Sequence, residues 1–284
     1  MKVVVTGAKG QLGTDLVHIL TKKHHEVIGF SHAELDITDM DSVFKALTQI
    51  KPDAVIHTAA YTKVDEAESK ADFAFSVNGF GTRNVVIAAQ EVGAKFCYIS
   101  TDYVFNGNNN RPYQEHDIPS PLSVYGKSKY VGEEYVKTLS SRYFIVRTSW
   151  VYGAHGENFV KTMLRFSKER NELGVVHDQT GSPTYAVDLA HFLCSLTQTK
   201  NYGIYHATNT GMCTWYEFAK AIFEEAGIPI KLNPIRTEDF PGPAIRPKYS
   251  VLDHQSIRSN GWADLRHWRQ ALKAFMEELR DKNE

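Results

Sequence analysis

The sequence predicts an α/β protein: a Rossmann-type doubly wound parallel sheet with a smaller α+β substrate-binding domain toward the C-terminus. Three observations predict it. Short β-branched runs alternate with helical patterns five times over the first 150 residues, which is how stacked βαβ units read in sequence. A glycine turn, Gly7-Ala8-Lys9-Gly10-Gln11-Leu12-Gly13, stands between the first strand pattern and the first helix pattern. In that context glycines let backbone amides approach a dinucleotide pyrophosphate. Finally, Tyr125 and Lys129 open the helical pattern after the fourth strand, and four-residue spacing puts both on one face.

Lys2 to Thr6 is a continuous apolar run, as expected of a strand buried on both faces. Leu12, Leu16, Ile19 and Leu20 give the first helix. Glu26 to Phe30 is the second strand. It ends in Gly29-Phe30-Ser31-His32, with no carboxylate to hold a ribose 2′-hydroxyl or repel a 2′-phosphate. Ser31 and His32 either contact such a phosphate or solvate a loop. Asp36-Ile37 follows, and Asp36 is positioned to bond an adenine amino group. Met40, Val43, Phe44, Leu47 and Ile50 make the next helix. Asp53 to His57 is the third strand, running into Thr58-Ala59-Ala60-Tyr61-Thr62, where small residues leave room for a cofactor.

One long helix is expected over 72–92, with Asn78 and Gly79 inside it despite their poor helix propensity. Either a buried Asn78 side chain or a backbone carbonyl there holds a water near Lys129, or the position is a kink or an exposed polar residue. Lys95 to Ser100 is the fourth strand and leads into Thr101-Asp102-Tyr103-Val104-Phe105. Pro119 and Pro121 precede the Tyr125 helix, and Tyr143 to Thr148 is the fifth strand. Beyond Trp150 the pattern loosens. Helices are expected around Phe159 to Phe166, over Val187 to Leu196 and Trp215 to Ala226, and along the stripe Leu265, Trp268, Leu272, Phe275 and Leu279. Leu173 to His177 and Gly203 to His206 read as short strands. The expected division is a dinucleotide-binding domain over 1–150, to which about 187–206 returns, and a substrate-binding domain over 151–186 and 207–284.

Net charge is −1 over 284 residues, so no bulk attraction to nucleic acid or to an anionic membrane is expected. No apolar run approaches the roughly 20 residues of a membrane span. Met1-Lys2 leads straight into the first strand, so no secretory leader is expected. Cys97, Cys194 and Cys213 are far apart, form no metal-binding spacing and suit a reducing cytoplasm.

The chemistry centres on Tyr125. A tyrosine of ordinary pKa, about 10, needs a shift of roughly 3 units, or about 4 kcal/mol, to act near neutrality. An ammonium about 4 Å away at an effective dielectric of 20 supplies about 4 kcal/mol. Lys129 is therefore expected to tune Tyr125, with Thr101 at the neighbouring strand end bonding the same substrate oxygen.

Thr6-Gly7-x-x-Gly10-x-x-Gly13, Asn78, Ser100-Thr101-Asp102 and Tyr125-x-x-x-Lys129 together resemble the extended short-chain dehydrogenase/reductases. Further blocks narrow the resemblance to the dTDP-4-dehydrorhamnose reductases. They are Ala59 to Asp65, Ser100 to Phe105, Val124 to Lys129, Arg147 to Tyr152, Asn158 to Met163, Asp178-Gln179-x-Gly181-x-Pro183-Thr184 and Arg246-Pro247. These blocks spread over nearly the whole chain. The resemblance implies reduction of the C4 keto group of dTDP-4-dehydro-L-rhamnose by NADPH or NADH, the last step toward a cell-surface sugar precursor. It implies catalysis by Tyr125, Lys129 and Thr101. It implies cofactor contacts at Gly7, Gly10, Gln11, Leu12, Asp36, Ile37, Ala59, Ala60, Tyr61, Thr62, Asn78, Ser100, Tyr125 and Lys129. Sugar contacts are implied at Thr101, Asp102, Tyr103, Trp150, Asn158 and Arg246. Some members hold Mg²⁺ with glutamates at a dimer interface. Here the matching positions are Asp15 and Val187, so no metal is expected, and monomer and metal-free homodimer both stay open. Two rivals remain. A dehydratase or epimerase of the same fold is one, although dehydratases carry Thr-Asp-Glu where this chain has Thr101-Asp102-Tyr103. A non-catalytic NADP-binding subunit is the other, and it conflicts with intact Thr101, Tyr125 and Lys129.

Overall fold

Side-chain alternation decides the first half of the molecule. The computed structural model describes residues 1–240 and 242–281. In β1 (Lys2–Thr6), Val3 and Val5 face one apolar layer and Val4 the other. β2 (Glu26–Phe30) lies at the sheet edge. In β3 (Ala54–His57) Ile56 opposes Val55, in β4 (Lys95–Thr101) Cys97 opposes Phe96 and Tyr98, and in β5 (Tyr143–Thr148) Phe144 and Val146 oppose Ile145. Strands apolar on both faces require helices on both. The helices Gln11–Lys22 and Ala186–Leu196 cover one face. Met40–Ile50, Thr82–Glu91 and the tyrosine helix Val124–Leu139 cover the other.

All six strands are parallel, in the order β2-β1-β3-β4-β5 and then Gly203–His206. The chain moves from β1 outward to β2 and then crosses to β3 on the far side of β1. That reversal opens a crevice at the carboxyl ends of β1 and β3, where ligands of such sheets bind. His57 bridges the strand ends there: Nδ1 is 2.6 Å from the Thr6 hydroxyl and Nε2 is 3.1 Å from the Thr82 hydroxyl. Burial depresses its pKa to about 3, so it is a neutral tie.

The helix expected over 72–92 is three pieces: Ala71–Phe75, a π-helical turn over Ser76–Gly81, and Thr82–Glu91. Asn78 accounts for the break. Its side chain accepts from the Tyr61 N–H (2.8 Å) and donates to the Tyr61 carbonyl (3.0 Å) and the Ser128 hydroxyl (2.9 Å). These bonds tie the π turn to the segment after β3 and to the tyrosine helix, and the helix is broken here. π-bulges of this kind gather at functional sites.

The second half has its own core, around Tyr152, Met163, Phe218, Ile222, Leu272 and Phe275. It is built from the helices Phe159–Glu169, Trp215–Ala226 and Trp268–Asp281 and the parallel pair Glu172–Val176 and Lys231–Ile235. The final stripe is core, with Leu265 just ahead of its helix.

One charged pair lies inside the first half. Arg147, 1% exposed, donates from Nε and Nη2 to both carboxylate oxygens of Glu133, which is fully buried (2.9 and 2.7 Å). Arg147→Met should destabilise the protein by about 3–5 kcal/mol, because Glu133 is left buried without its partner. Urea denaturation measures this; a loss under about 1 kcal/mol would contradict a buried charged pair.

Candidate active site

The first helix has no side-chain N-cap, so its leading amides are free for a ligand. Gly10 to Gly13 line a cleft of about 700 Å³; the Gly10 N–H donates to the Gly7 carbonyl (2.9 Å), so the amides left open are those of Gln11 to Gly13, and the helix dipole favours an anion there. Gly7 is required at φ +69°, and a Cβ on it would stand 2.7 Å from the Ala59 amide. The opposite wall carries Thr58, Ala60 and Thr62; the floor carries Ile99 to Tyr103, with Tyr125, Lys129 and Trp150. Thr101, Tyr125 and Lys129 are therefore brought together. Ser123 caps the tyrosine helix by accepting from the Gly126 N–H (3.1 Å). At Gly126 a Cβ would stand 2.3 Å from the Tyr103 carbonyl, so only glycine lets this helix approach the strand end closely enough to place Tyr125.

Burial pushes the Tyr125 phenol up to about 12; a Thr101 hydrogen bond opposes the rise and the Asp102 carboxylate adds to it. Burial brings Lys129 down to about 7, opposed by Glu133 one turn on. The Lys129 ammonium sits 4.1 Å from the centroid of the Tyr98 ring. Tyr125 is held as a phenol, which is the form a proton donor needs. Asp102 is 2% exposed, and burial raises its carboxyl to about 6 against hydrogen bonds from Ser250 and Thr101. The Tyr103 ring meets Tyr125 edge-on, centroids 5.6 Å apart.

Ser100 lines the cleft floor, and its hydroxyl donates to Glu133 (2.6 Å). Other expected residues are not among those that line the cleft. Asp36 is exposed, and its Oδ1 accepts from the Thr38 N–H and hydroxyl (2.9 and 2.8 Å). Ile37 is 5% exposed and packs in the core. Tyr61 is fixed through its backbone by Asn78. Asn158 caps the helix Phe159–Glu169, accepting from the Lys161 N–H (3.1 Å) and donating to Gln11 and the Gly153 carbonyl (2.9 and 2.8 Å). It is committed to structure, whereas its neighbour Glu157 lines the cleft. Gln11 also donates to the Val151 carbonyl (2.8 Å), tying the glycine turn to the second half.

Arg246 lines a second, largely apolar cavity of about 590 Å³ with Phe159, Met163, Leu173, Arg170 and Lys248. It donates to Asp65 (2.6 Å). Trp215, which sequence reading missed, borders both cavities. Its indole stacks on Trp150 at 3.5 Å between centroids. Gly181 lies against the Trp150 indole, and Trp150 adopts φ +48°. Nothing in the periodicity of Trp215 separates it from an ordinary helix-start residue.

Glu34 was also missed. Its carboxylate accepts from the Ser31 N–H (2.8 Å) and hydroxyl (2.5 Å), which hold it below the usual range, and Lys9 Nζ lies 3.9 Å away. A carboxylate does close β2, reached by a turn rather than carried on the strand, and Ser31 is engaged with it. The metal pattern does not fit: Asp15 lies 3.6 Å from His155 Nε2, and Val187 has no ligating atom. Among the described residues no group of three or more His, Cys, Asp and Glu could hold a metal.

A family model described as the RmlD substrate binding domain matches residues 1–281. A dTDP-4-dehydrorhamnose reductase of Aggregatibacter actinomycetemcomitans is 43% identical, over 96% of this chain and 97% of that protein. The spore coat polysaccharide biosynthesis protein SpsK of Bacillus subtilis is 44% identical, over 98% and 97%. A crystal structure of the Bacillus anthracis dTDP-4-dehydrorhamnose reductase in complex with NADP superposes with a TM-score of 0.96 at 48% identity, covering 98% of this chain and 99% of that one.

Glu34→Gln should raise the ratio of kcat/KM for NADPH to that for NADH by roughly tenfold, because it removes the negative charge at the end of β2. An unchanged ratio would place Glu34 outside the ribose site.

Proposed function

From the premise that the chain belongs to the RmlD substrate binding domain family, we propose its reaction: it is an NAD(P)H-dependent oxidoreductase that reduces the C4 keto group of dTDP-4-dehydro-L-rhamnose to dTDP-L-rhamnose. The observation that carries this reading is the meeting of Tyr125, Thr101 and Lys129 on a cleft that Gly10 to Gly13 also line. Bound NAD(P)H supplies the hydride. Gly10 to Gly13 hold its pyrophosphate, and Ala60 and Thr62 flank it. Lys129 holds the ribose beside the nicotinamide. Tyr125 Oη gives its proton to the C4 oxygen, and the Thr101 hydroxyl bonds that oxygen. The second cavity suits a nucleoside diphosphate: apolar walls for a base and ribose, and Arg170, Arg246 and Lys248 for phosphate. Trp150 and Trp215 stand where the sugar joins the two cavities.

The absence of a second carboxylate beside Asp102 argues against dehydratase chemistry. Tyr103 occupies that place, its ring against Tyr125. No described helix is long and apolar enough to cross a membrane.

Tyr125→Phe should keep NADPH binding and lower kcat about 10²–10⁴-fold. Lys129→Met should lower both turnover and NADPH affinity. Following absorbance at 340 nm with the 4-keto sugar nucleotide, alongside NADPH titration, tests both; a Tyr125→Phe rate within a few-fold of wild type would remove Tyr125 from the chemistry. EDTA should leave activity and oligomeric state unchanged, since Val187 cannot ligate. A loss that Mg²⁺ restores would refute this.

A further inference from the structure

We propose that Trp215 governs the entry of the substrate's sugar: its indole covers the face of Trp150 on which the sugar is to lie, and the sugar takes its place by displacing it. The inference rests on the reductase reading of the site, with a substrate that spans both cavities.

Among the described residues, Trp215 alone lines both cavities. A nucleoside diphosphate held in the second cavity therefore brings its sugar to Tyr125 past this indole. Trp215 lies flat on Trp150, with ring centroids 3.5 Å apart and planes 10° from parallel. That is van der Waals contact between carbon faces, and no ligand fits between them.

The other face of Trp150 is closed as well. A Cβ at Gly181 would stand 2.6 Å from Cε2 of that indole, 2.7 Å from Cζ2 and 2.9 Å from Nε1. Cε2 is bonded to both of the other atoms. A point nearest to Cε2 and slightly farther from both neighbours lies above the ring, because a point at the rim would meet a neighbour first. Trp150 is clasped between Gly181 and Trp215 and presents only its edge to the cleft.

The members of this clasp differ in what holds them. Gly181 is strand backbone, paired with Cys213. Trp150 stands at φ +48°, a conformation that a bulky residue keeps only where its surroundings fix it. Trp215 is the first residue of the helix Trp215–Ala226, so no preceding helical turn restricts its side chain. One hydrogen bond holds its indole, from Nε1 to Gln179 Oε1 at 3.2 Å. Its far side meets Phe159 at a 50° tilt, centroids 4.6 Å apart. Trp215 is thus the member that a side-chain rotation removes.

The exchange is between like surfaces. An indole offers a broad apolar face, and the C–H side of a 6-deoxysugar replaces one apolar surface on it with another. A nucleotide without a sugar has nothing to lay there and leaves the stack intact. A residue that competes for the sugar's place lowers the apparent affinity by the fraction of molecules in which the place is open.

The test uses dTDP-L-rhamnose and dTDP as probes. In wild-type protein carrying 5-fluorotryptophan at its four tryptophans, the fluorine signals of Trp150 and Trp215 are assigned from Trp150→Phe and Trp215→Phe. dTDP-L-rhamnose should move both signals, because each ring leaves the ring current of the other, and dTDP should move neither. By calorimetry, Trp215→Ala should bind dTDP-L-rhamnose about tenfold more tightly and dTDP within about twofold of wild type. Trp150→Ala should weaken dTDP-L-rhamnose and spare dTDP. Weaker binding of dTDP-L-rhamnose by Trp215→Ala would make Trp215 a wall that holds the sugar, and would overturn the displacement. So would an equal response of the two signals to dTDP. Should Trp215→Ala fail to fold, the fluorine signals of the wild-type chain decide alone. Failure of both probes to bind wild-type protein would sink the reductase reading and this inference with it. Binding of both with the two signals unmoved would sink this inference alone.

Discussion

The site depends on the bidentate pair of Glu133 and Arg147. Glu133 lies one turn beyond Lys129 on the tyrosine helix, and Arg147 is on β5. Glu133 also accepts from Ser100 on β4, while Arg147 reaches the Glu115 carbonyl and His206 on the sixth strand (3.3 Å each). One helix and three strands are thereby locked in register from within. A surface ion pair could not do this, because solvent screening makes it weak and interchangeable. A buried pair is costly to separate, so the helix cannot slide without exposing charge to apolar surroundings. Tyr125 and Thr101 come from different elements, and their meeting depends on that register.

The electrostatics follow from the same burial. Arithmetic on a charged lysine 4 Å away gives a tuned tyrosine, but it assumes that the lysine stays charged and is aimed at the phenol. Within the protein, desolvation acts on both groups at once: it raises Tyr125, lowers Lys129, and leaves the ammonium against the Tyr98 ring. The free protein stores its proton on the tyrosine.

The sequence was legible wherever chemistry and periodicity coincide in short range. The strands, the glycine turn and the spacing of Tyr125 and Lys129 depend on neighbours a few residues apart, and the five-fold alternation leaves little choice of sheet. Return of Gly203–His206 to the sheet was readable as a strand with no partner nearby. What escaped depends on contacts between distant segments. Glu34 reaches back to Ser31 only because the turn after β2 folds that way. The π turn exists because Asn78 is drawn to Tyr61, and Trp215 becomes a wall because Trp150, 65 positions earlier, presents an indole to it. The hydroxyl of Ser100 is taken by Glu133, 33 positions later on the tyrosine helix.

The sixth strand has a consequence for biosynthesis. β5 is complete at Thr148, yet its outer edge is paired only by Gly203–His206. Until a ribosome has made and released those residues, β5 is an exposed, apolar sheet edge, and Arg147 lacks its His206 neighbour. The first 150 residues thus leave one edge of their sheet to be completed by a strand made much later. That pairing is a long-range closure, of the type that slows folding and leaves strand edges open to other chains. Expression of the chain cut at 150 would release that open edge into solution.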